Sequence, residues 1–516
     1  MDKDSSIFNL EFNHDRLLRR RGRRRRRAVS WIRSRPRAFL RFMRRPPVLL
    51  VRVTRNVIVS LLSVLILVPF LRPSYTRPPP HYLDLASRCK ELTPGCANVG
   101  KEKIFISVTL HGRDGYLGRG PWGHRVVQLV SILGPANVYL SIYENGSGRY
   151  GKVALEYIRQ RIECRHRIIS DEHVSLAGFP NVTLPDRSQR TKRVAYLSEL
   201  RNRALRPLDM LDGGDNLVVK FDKVLFLDDI AFRPLDAAHL LFNTNMKPDG
   251  QTDYLAACAL DHSSPFHFHD AHALRDADGF ANTQAVFPLF SSQGRGLSRA
   301  DMLSERDAVR VRSCWSGMTA VRARHVQNTA RSLPDGDFRA VGRHVIDPAR
   351  PTNATVPVRF RHEPEVWFDA SECCLFMADI AQAAASAGGE TTTTTIAGIY
   401  VNPYVRAAYS DRTLHWLAVA RYWERLFVLV FDFRALFGLA AADGNPYRDV
   451  VEGQRFGEEV WDYDEGRWRL VERVGRPGLF CGMRGRQLID QGGERGGDGD
   501  GDGAHGGMLP GQMPGF

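Results

Sequence analysis

The stretch Lys223-Val-Leu-Phe-Leu-Asp228-Asp229 ends an apolar run in two adjacent carboxylates. Val224 to Leu227 has the length and composition of a buried parallel strand. Such a strand delivers the residues after it to the C-terminal edge of a sheet, where open α/β folds bind ligands. Two neighbouring carboxylates repel each other and are best tolerated around a divalent cation. Mg²⁺ or Mn²⁺ held this way keeps positions open for phosphate oxygens, which suits the diphosphate of a nucleotide-linked donor. The plain alternative is an Asp-rich turn. Arg201 and Asn202 lie in a helical segment upstream, where Arg can pair with phosphate and Asn with base or ribose, or both can sit on an ordinary surface helix. Asp270 and Asp276 are candidates for holding an acceptor or lying beneath a reacting carbon, and Arg275 can neutralise one of them or meet phosphate. A buried ion-pair network would use the same residues.

His267-Phe-His269-Asp270-Ala-His272 has the ligand density of a zinc site, with His267 and His269 on one face of a strand. Its spacing departs from the HxHxDH pattern and no second ligand set is evident, so a zinc hydrolase is a rival reading only.

The elements that must position these residues alternate. Ile104–Leu110 reads as a strand, 123–133 as a helix and 136–143 as a second strand. Helices occupy 153–163 and 193–205, then come the acidic strand and strands at 253–259 and 396–401. Alternating β and α elements imply a sheet with helices on both faces. Ala383 to Thr395 reads as a loop insertion, and the Gly/Asp-rich 492–516 as disordered. Asp498-Gly-Asp-Gly-Asp502 lacks the closing Glu of a calcium loop. Trp416 to Leu439, apolar and aromatic but interrupted by Arg421, Arg425 and Arg434, reads as a packing or membrane-surface helix rather than a second span.

The net charge of +15 is local: residues 1–55 carry 18 Lys and Arg against four acids. The rest is close to neutral, which removes a general basic field and with it a nucleic-acid partner. The basic tail ends at Arg55, before the apolar run 56–71. That run is short for a span, but Arg55 and Arg72 can snorkel and Val48 to Val51 can extend it. Positive charge on its N-terminal side predicts a cytoplasmic N-terminus and a lumenal body, a single-pass type II arrangement. A cleaved signal peptide is the rival, disfavoured by distance from Met1 and by the lack of a small-residue cleavage site. Three glycosylation sequons, at Asn145, Asn181 and Asn353, and eight cysteines beyond the anchor accord with a lumenal body. The segments are then a basic tail 1–55, an anchor 56–71, a Pro-rich stem 72–100 lifting the body off the membrane, a principal domain 101–440, a C-terminal extension 441–491 and a tail 492–516.

Several motifs stand in order: Ser141-Ile-Tyr-Glu-Asn-Gly-Ser147, Tyr196 to Leu205, Phe226-Leu-Asp-Asp229, Asp253 to Asp261, Asp270 with Arg275-Asp276 and Gly279, Ser313-Cys-Trp315-Ser-Gly317, Ser371-Glu-Cys-Cys-Leu-Phe376 and Val401-Asn-Pro-Tyr-Val405. From about Ile104 to Tyr409 this series resembles the fungal α-1,3-mannosyltransferase family that includes the cryptococcal capsule-associated proteins. The resemblance implies a Golgi-type membrane protein with a GT-A-like nucleotide-sugar-binding α/β domain behind a transmembrane helix. It implies GDP-mannose as donor, Mn²⁺ or Mg²⁺ as cofactor, a mannose-containing glycan as acceptor, and retaining transfer in α-1,3 linkage. Asp228 and Asp229 fall on the family's Phe-Leu-Asn-Asp-Val segment, with Asp228 in place of Asn, so Asp229 is the surer metal contact. Trp-Asn-Gly becomes Trp315-Ser316-Gly317, and Arg149-Tyr150-Gly151 replaces a more acidic and hydroxylated pattern. These departures motivate the alternative of a non-catalytic accessory protein of polysaccharide synthesis or export. Within the transferase reading, Trp315 can stack on a sugar face, or serve as core. A metal bridging the two phosphates stabilises the departing GDP.

Overall fold

The computed structural model describes residues 48–110, 120–172, 174–183, 188–210, 219–281, 284–327, 357–363, 369–388, 398–436, 445–462, 467–483 and 488–489. The basic tail before Val48, the Asn353 sequon, the Thr391–Thr395 run and the 492–516 tail lie outside them. Helix α1 (Val48–Leu71) contains the anchor, and its Val51–Leu71 portion is long and apolar enough to cross a membrane. It is longer than the 56–71 run because it continues through Arg55 and Arg52, as snorkelling side chains allow.

Val68 onward forms a separate compact unit. Its elements begin with α2 (Pro80–Arg88), β1 (Ile104–Leu110), α3 (Pro121–Leu133), β2 (Val138–Asn145), α4 (Gly148–Arg159), β3 (Arg165–Asp171), β4 (Asn181–Thr183), β5 (Gln189–Lys192) and α5 (Arg193–Met210). The middle of the chain supplies β6 (Lys223–Leu227), α6 (Pro234–Phe242), β7 (Ala256–His262), β8 (Arg275–Asp276), α7 (Leu297–Leu303), β9 (Val309–Ser313), β10 (Met318–Arg322), β11 (Asp369–Ala370), α8 (Glu372–Gly388) and β12 (Ile399–Ala408). Helices α9 (Asp411–Ala420) and α10 (Leu426–Leu436), strands β13 (Arg455–Asp462) and β14 (Arg467–Val474), and two short strands, β15 (Gly482–Met483) and β16 (Leu488–Ile489), complete it.

A nine-stranded sheet runs β3-β2-β1-β6-β10-β7-β12-β9-β8. Strands β3, β2, β1 and β6 are mutually parallel. Strand β10 is antiparallel to both β6 and β7, so β6 and β7 run the same way, and β12 runs parallel to β7. The sheet is therefore mixed, with the C-terminal ends of β1, β2, β6, β7 and β12 on one edge. Successive residues of a strand point to opposite faces. Phe105, Val224 and Phe226 accordingly enter a core with Leu205, Leu208, Phe360 and Phe376, while Ile104, Ile106, Leu225 and Leu227 enter another with Val126, Leu129, Leu240 and Leu241. Burial of each such side chain stabilises the fold by roughly 1.5–3 kcal/mol.

Two expectations are corrected. The segment 72–100 is no stem standing clear of the body. Tyr75, Tyr82, Leu85 and Cys89 are buried, Tyr75 Oη donates to Met302 O at 3.1 Å, and Asn402 Nδ2 donates to Tyr82 Oη at 2.6 Å. The prolines lead instead into α2, with Pro80 at its first turn, where a missing N–H costs nothing. The extension after residue 441 is likewise part of the body: β15 pairs with β11, β16 with β5, and Cys481 is bonded to Cys374. Two further disulfides join Cys89 to Cys96 and Cys258 to Cys314, and Cys164 and Cys373 are buried thiols. The sequon at Asn145 is buried, its Nδ2 donating to Tyr196 Oη at 2.5 Å and its Oδ1 accepting from Val174 N at 2.9 Å, whereas Asn181 is exposed.

Candidate functional site

Strand β6 is buried along its whole length and ends in Asp228, half-buried, and Asp229, exposed. The backbone N–H of Asp228 donates to Gly317 O at 2.8 Å, which ties the carboxylates to the turn before β10. Gly317 has φ +65°, and a Cβ there would come within 2.8 Å of Ile230 Cγ2, so only glycine brings this turn so close to the acidic segment.

The two acids have different surroundings. Asp228 Oδ1 accepts from Arg201 Nη1 at 2.8 Å, and its Oδ2 accepts from Arg201 Nη2 at 3.2 Å and from Trp315 Nε1 at 2.9 Å. Arg201 Nε donates to Glu372 Oε1 at 3.2 Å, and the guanidinium lies 4.8 Å from the centroid of the Trp315 ring. Burial opposes the charge on Arg201, but Asp228, Cys373 and Glu372 outweigh it and hold the guanidinium pKa well above its usual value. Both carboxylate oxygens of Asp228 thus accept from protein donors, and Asp229 is exposed at the same edge.

Trp315 is held between Phe226, 5.0 Å away, and Phe360, 5.4 Å away, centroid to centroid, with Phe360 stacked on Phe376 at 4.3 Å. It is a core residue whose indole N–H orients Asp228. The expected sugar platform is not what the ring faces offer.

Asp270 supports the same turn from another side. Its Oδ2 accepts from the backbone N–H groups of Trp315 at 3.0 Å and Ser316 at 3.2 Å, and its Oδ1 accepts from Ala273 N at 2.8 Å. Behind it stands Asp261, at the end of β7, whose Oδ1 accepts from Asp270 N at 3.2 Å and whose Oδ2 accepts from Tyr409 Oη at 3.1 Å. Burial and then the neighbouring Asp270 push the Asp261 carboxyl from the usual 3.8 up to about 8. Burial, then Asp261, Asp228 and Asp270, drive the Tyr409 phenol well above 10. Tyr409 comes directly after β12, and the exposed His269 ring lies 4.2 Å from it.

The other sequence candidates lie elsewhere. Asn202 is buried, its Nδ2 donating to Phe360 O at 2.8 Å and its Oδ1 accepting from Phe360 N at 2.9 Å, so it braces the 357–363 segment instead of facing a nucleotide. Arg275 and Asp276 form β8, at the far edge of the sheet from β3. Arg275 donates to the carbonyls of Phe480 at 3.1 Å, Cys481 at 3.0 Å and His272 at 3.1 Å, which fastens the C-terminal segment. Asp276 Oδ1 accepts from Asp278 N and Phe280 N, both at 2.9 Å, and burial pushes its carboxyl up to about 6. Both residues thus have architectural partners. Sequence reasoning did not single out Glu372, Asp261 or Tyr409; the first two stand inside the ordered motifs, and only the return of the chain places them beside Asp228 and Asp270.

Among the described residues no three His, Cys, Asp or Glu side chains converge on a metal position. His267 Nδ1 is paired with Ser264 Oγ at 2.9 Å, which leaves the zinc-hydrolase alternative without support from this geometry. A sparse donor set does fit a hard cation such as Mg²⁺ or Mn²⁺, which binds through one or two carboxylates and takes its other ligands from substrate phosphate and water. Asp229, exposed at this edge, is the carboxylate that would hold it.

A family model described as cryptococcal mannosyltransferase 1 matches residues 103–379, which include every site residue above except Tyr409. No curated protein matches the chain. Among solved structures, glucosyl-3-phosphoglycerate synthase from Mycobacterium tuberculosis, in complex with Mn²⁺, UDP and phosphoglyceric acid, is 10% identical, with 79% of this chain and 96% of that one covered and a TM-score of 0.26. Mannosyl-3-phosphoglycerate synthase from Rubrobacter xylanophilus is 14% identical, with 79% and 96% covered and a TM-score of 0.28. The mannosyltransferase PcManGT from Pyrobaculum calidifontis, in complex with GDP-Man and Mn²⁺, is 9% identical, with 76% and 77% covered and a TM-score of 0.31. These superpositions are loose, and the family match is what places the chain.

Proposed function

The chain belongs to the cryptococcal mannosyltransferase 1 family, and from that membership we propose a metal-dependent, retaining mannosyltransferase that moves mannose from GDP-mannose to a mannose-containing glycan in α-1,3 linkage. The observation that carries the reading is the placement of two adjacent carboxylates at the end of β6: Asp228 is held by Arg201 and Trp315, and Asp229 is exposed at the edge where the parallel strands end. A divalent cation bound there supplies Lewis-acid stabilisation of the departing diphosphate. The residues of the chain do the rest by position. Asp229 would hold the cation, Arg201 and Trp315 fix the strand end that presents it, and Asp270 fixes the turn 315–317 facing it. Asp270 would act on the acceptor through this turn, since its own oxygens are engaged by backbone N–H groups. No side chain need serve as nucleophile if the departing phosphate takes the acceptor proton.

The proposed setting is a Golgi-type membrane with α1 as single-pass type II anchor and the body in the lumen, supported by the Arg-rich flank and the three disulfides. The test is transfer of labelled mannose from GDP-mannose to α-mannobiose by the full chain in detergent, with Mn²⁺, with chelator, and with Asp229→Ala. Transfer that requires both metal and Asp229 is the expected result. A folded chain that binds neither GDP nor Mn²⁺ and transfers nothing would favour the accessory-protein reading, which the replacement of Asn by Asp228 and by Ser316 keeps in play.

A further inference from the structure

Helices α9 and α10 form a corner of the body that the reaction does not use. Trp416, Val419 and Tyr422 on and after α9, and Leu429, Val430 and Phe433 on α10, are all exposed. Leu429, Val430 and Phe433 are spaced i, i+1 and i+4 and so share one helical face. The opposite side of α10 is fastened to the body: Asp432 pairs with Arg299 at 2.7 Å, the Phe427 ring lies 5.5 Å from Phe266, and Val428 packs on the main core. An apolar face this concentrated, on a helix otherwise held in place, marks an interaction surface.

The chain itself says what lies next to it. The corner residue Arg421 accepts at its carbonyl from Ser74 N at 3.0 Å, and its Nη1 donates to Tyr75 O at 2.9 Å. Ser74 is three residues past Leu71, the end of α1, and three residues reach at most about 11 Å. Because 72–100 is packed into the body, only these three residues separate the end of α1 from its first bond to this corner. Arg421, between α9 and α10, is thus bonded to a residue three positions past the end of α1. Trp and Tyr are the residues favoured at the membrane–water boundary, and an interfacial helix sinks its apolar face roughly 5–10 Å into it. Arg412 and Arg434, exposed on the same helices, would meet headgroup phosphates.

We propose that the exposed face of α9 and α10 is a lipid-docking surface that seats the body on the leaflet its own anchor enters, so that the sheet edge carrying Asp229 is held at a fixed attitude to the membrane. The inference rests on α1 crossing a membrane and is independent of the reaction. The occupant is the bilayer surface, in preference to a second copy or another protein, because the face lies on helices joined at Arg421, which bonds Ser74 three residues past α1, and carries Trp and Tyr, the residues favoured at that boundary.

The test uses the full chain in phosphatidylcholine–phosphatidylserine vesicles, with an environment-sensitive fluorophore on a single introduced cysteine: Trp416→Cys, Val430→Cys, Tyr150→Cys as an exposed site on α4, or Leu62→Cys within α1 to mark inserted chains. Brominated lipid should quench the labels at 416 and 430 at least twofold more than the label at 150. In the triple variant Leu429→Asp, Val430→Asp, Phe433→Asp, quenching at 416 should fall to the level seen at 150 while the α1 label stays quenched. The proposal is overturned if the labels at 416 and 430 behave like that at 150 and are quenched by aqueous iodide. It is equally overturned if they are shielded from iodide but untouched by brominated lipid and crosslink between copies, which would make the face a dimer interface.

Discussion

Arg201 grips Asp228 with two hydrogen bonds, Nη1 to Oδ1 at 2.8 Å and Nη2 to Oδ2 at 3.2 Å, and the same carboxylate accepts the indole N–H of Trp315. A pair largely withdrawn from solvent is costly to break, because the survivor keeps its charge without its partner. Arg201→Ala should lower stability by about 3 kcal/mol. Arg201→Lys, which keeps the charge but not the planar fork, should recover part of that loss. Urea unfolding of the three proteins measures it, and equal stability of wild type and Arg201→Ala would show that the clamp contributes nothing.

The strand carrying these acids was legible because burial on both faces leaves an uninterrupted apolar run, and Ile104–Leu110 was legible for the same reason. The surroundings of the acids were not. Strand β7 runs on to Asp261 and His262, polar residues that periodicity reads as the strand's end, and the buried Asp261 carboxylate is met there by Tyr409, distant in sequence. Strand β12 passes through Asn402-Pro403 with a bulge between Val401 and Arg406, where local turn signals suggest a stop. Trp315, Arg275 and Asn202 are each equally apt, by residue type, for ligand or for core. The partners that decide the matter, Asp270 for Trp315, Phe360 for Asn202 and Cys481 for Arg275, lie 45 to 206 positions away in the chain, and no local pattern records them.

Asp261 should leave a signature in the pH dependence of stability. Its folded pKa is raised to about 8 by burial and Asp270, so above its unfolded value the folded state holds a proton that the unfolded state has lost. Stability then falls as pH rises, until the folded form also ionises. Asp236 and Asp276, raised to about 6, act the same way at lower pH, while His239 and His325, lowered to about 4, oppose them below about 6.5. The interval from about 6.5 to 8 therefore belongs to Asp261. Thermal unfolding of wild type should weaken across it, and Asp261→Asn should flatten the slope there; an unchanged slope in the variant would refute the assignment.

The Cys258–Cys314 disulfide fastens the segment bearing Trp315 and Ser316 to β7, closing a separation of 56 residues. Cross-links of this kind stabilise by about 2–4 kcal/mol. The variant Cys258→Ala, Cys314→Ala should lose about that much stability in urea, and its affinity for GDP should fall more than that of a variant lacking Cys89 and Cys96, whose bridge lies in the N-terminal segment. Equal loss of GDP affinity in both would separate the disulfide from the site.

Ser316 has φ +56° and a buried hydroxyl without a hydrogen-bond partner. Left-handed backbone costs a typical L-residue about 1–2 kcal/mol, and Asn is among the few side chains that bear it readily. The Asn of the resembling family's Trp-Asn-Gly segment would suit this backbone. Ser316→Asn should raise stability by up to about 1 kcal/mol. A lower melting temperature in that variant would mean that the pocket around residue 316 is closed to the larger amide.

Asp228 and Asp229, one peptide apart, should respond in opposite ways to substitution. Asp228→Asn restores the residue found in the resembling family. It keeps one carbonyl acceptor for Arg201 or Trp315 but turns an amide N–H toward the other donor, and it surrenders the ion pair. Its cost should appear as about 1–3 kcal/mol of stability, with metal-dependent transfer retained. Asp229 is exposed, so Asp229→Ala should change stability by no more than about 0.5 kcal/mol. If this carboxylate holds the cation, the same substitution should cut transfer at least about 100-fold, equivalent to roughly 2.7 kcal/mol of transition-state stabilisation, and abolish the response to added Mn²⁺. Paired unfolding curves and Mn²⁺ titrations of mannose transfer separate the two roles. Should Asp229→Ala keep the wild-type Mn²⁺ response while Asp228→Asn loses it, the metal would sit on Asp228 and the Arg201 clamp would have to open to admit it.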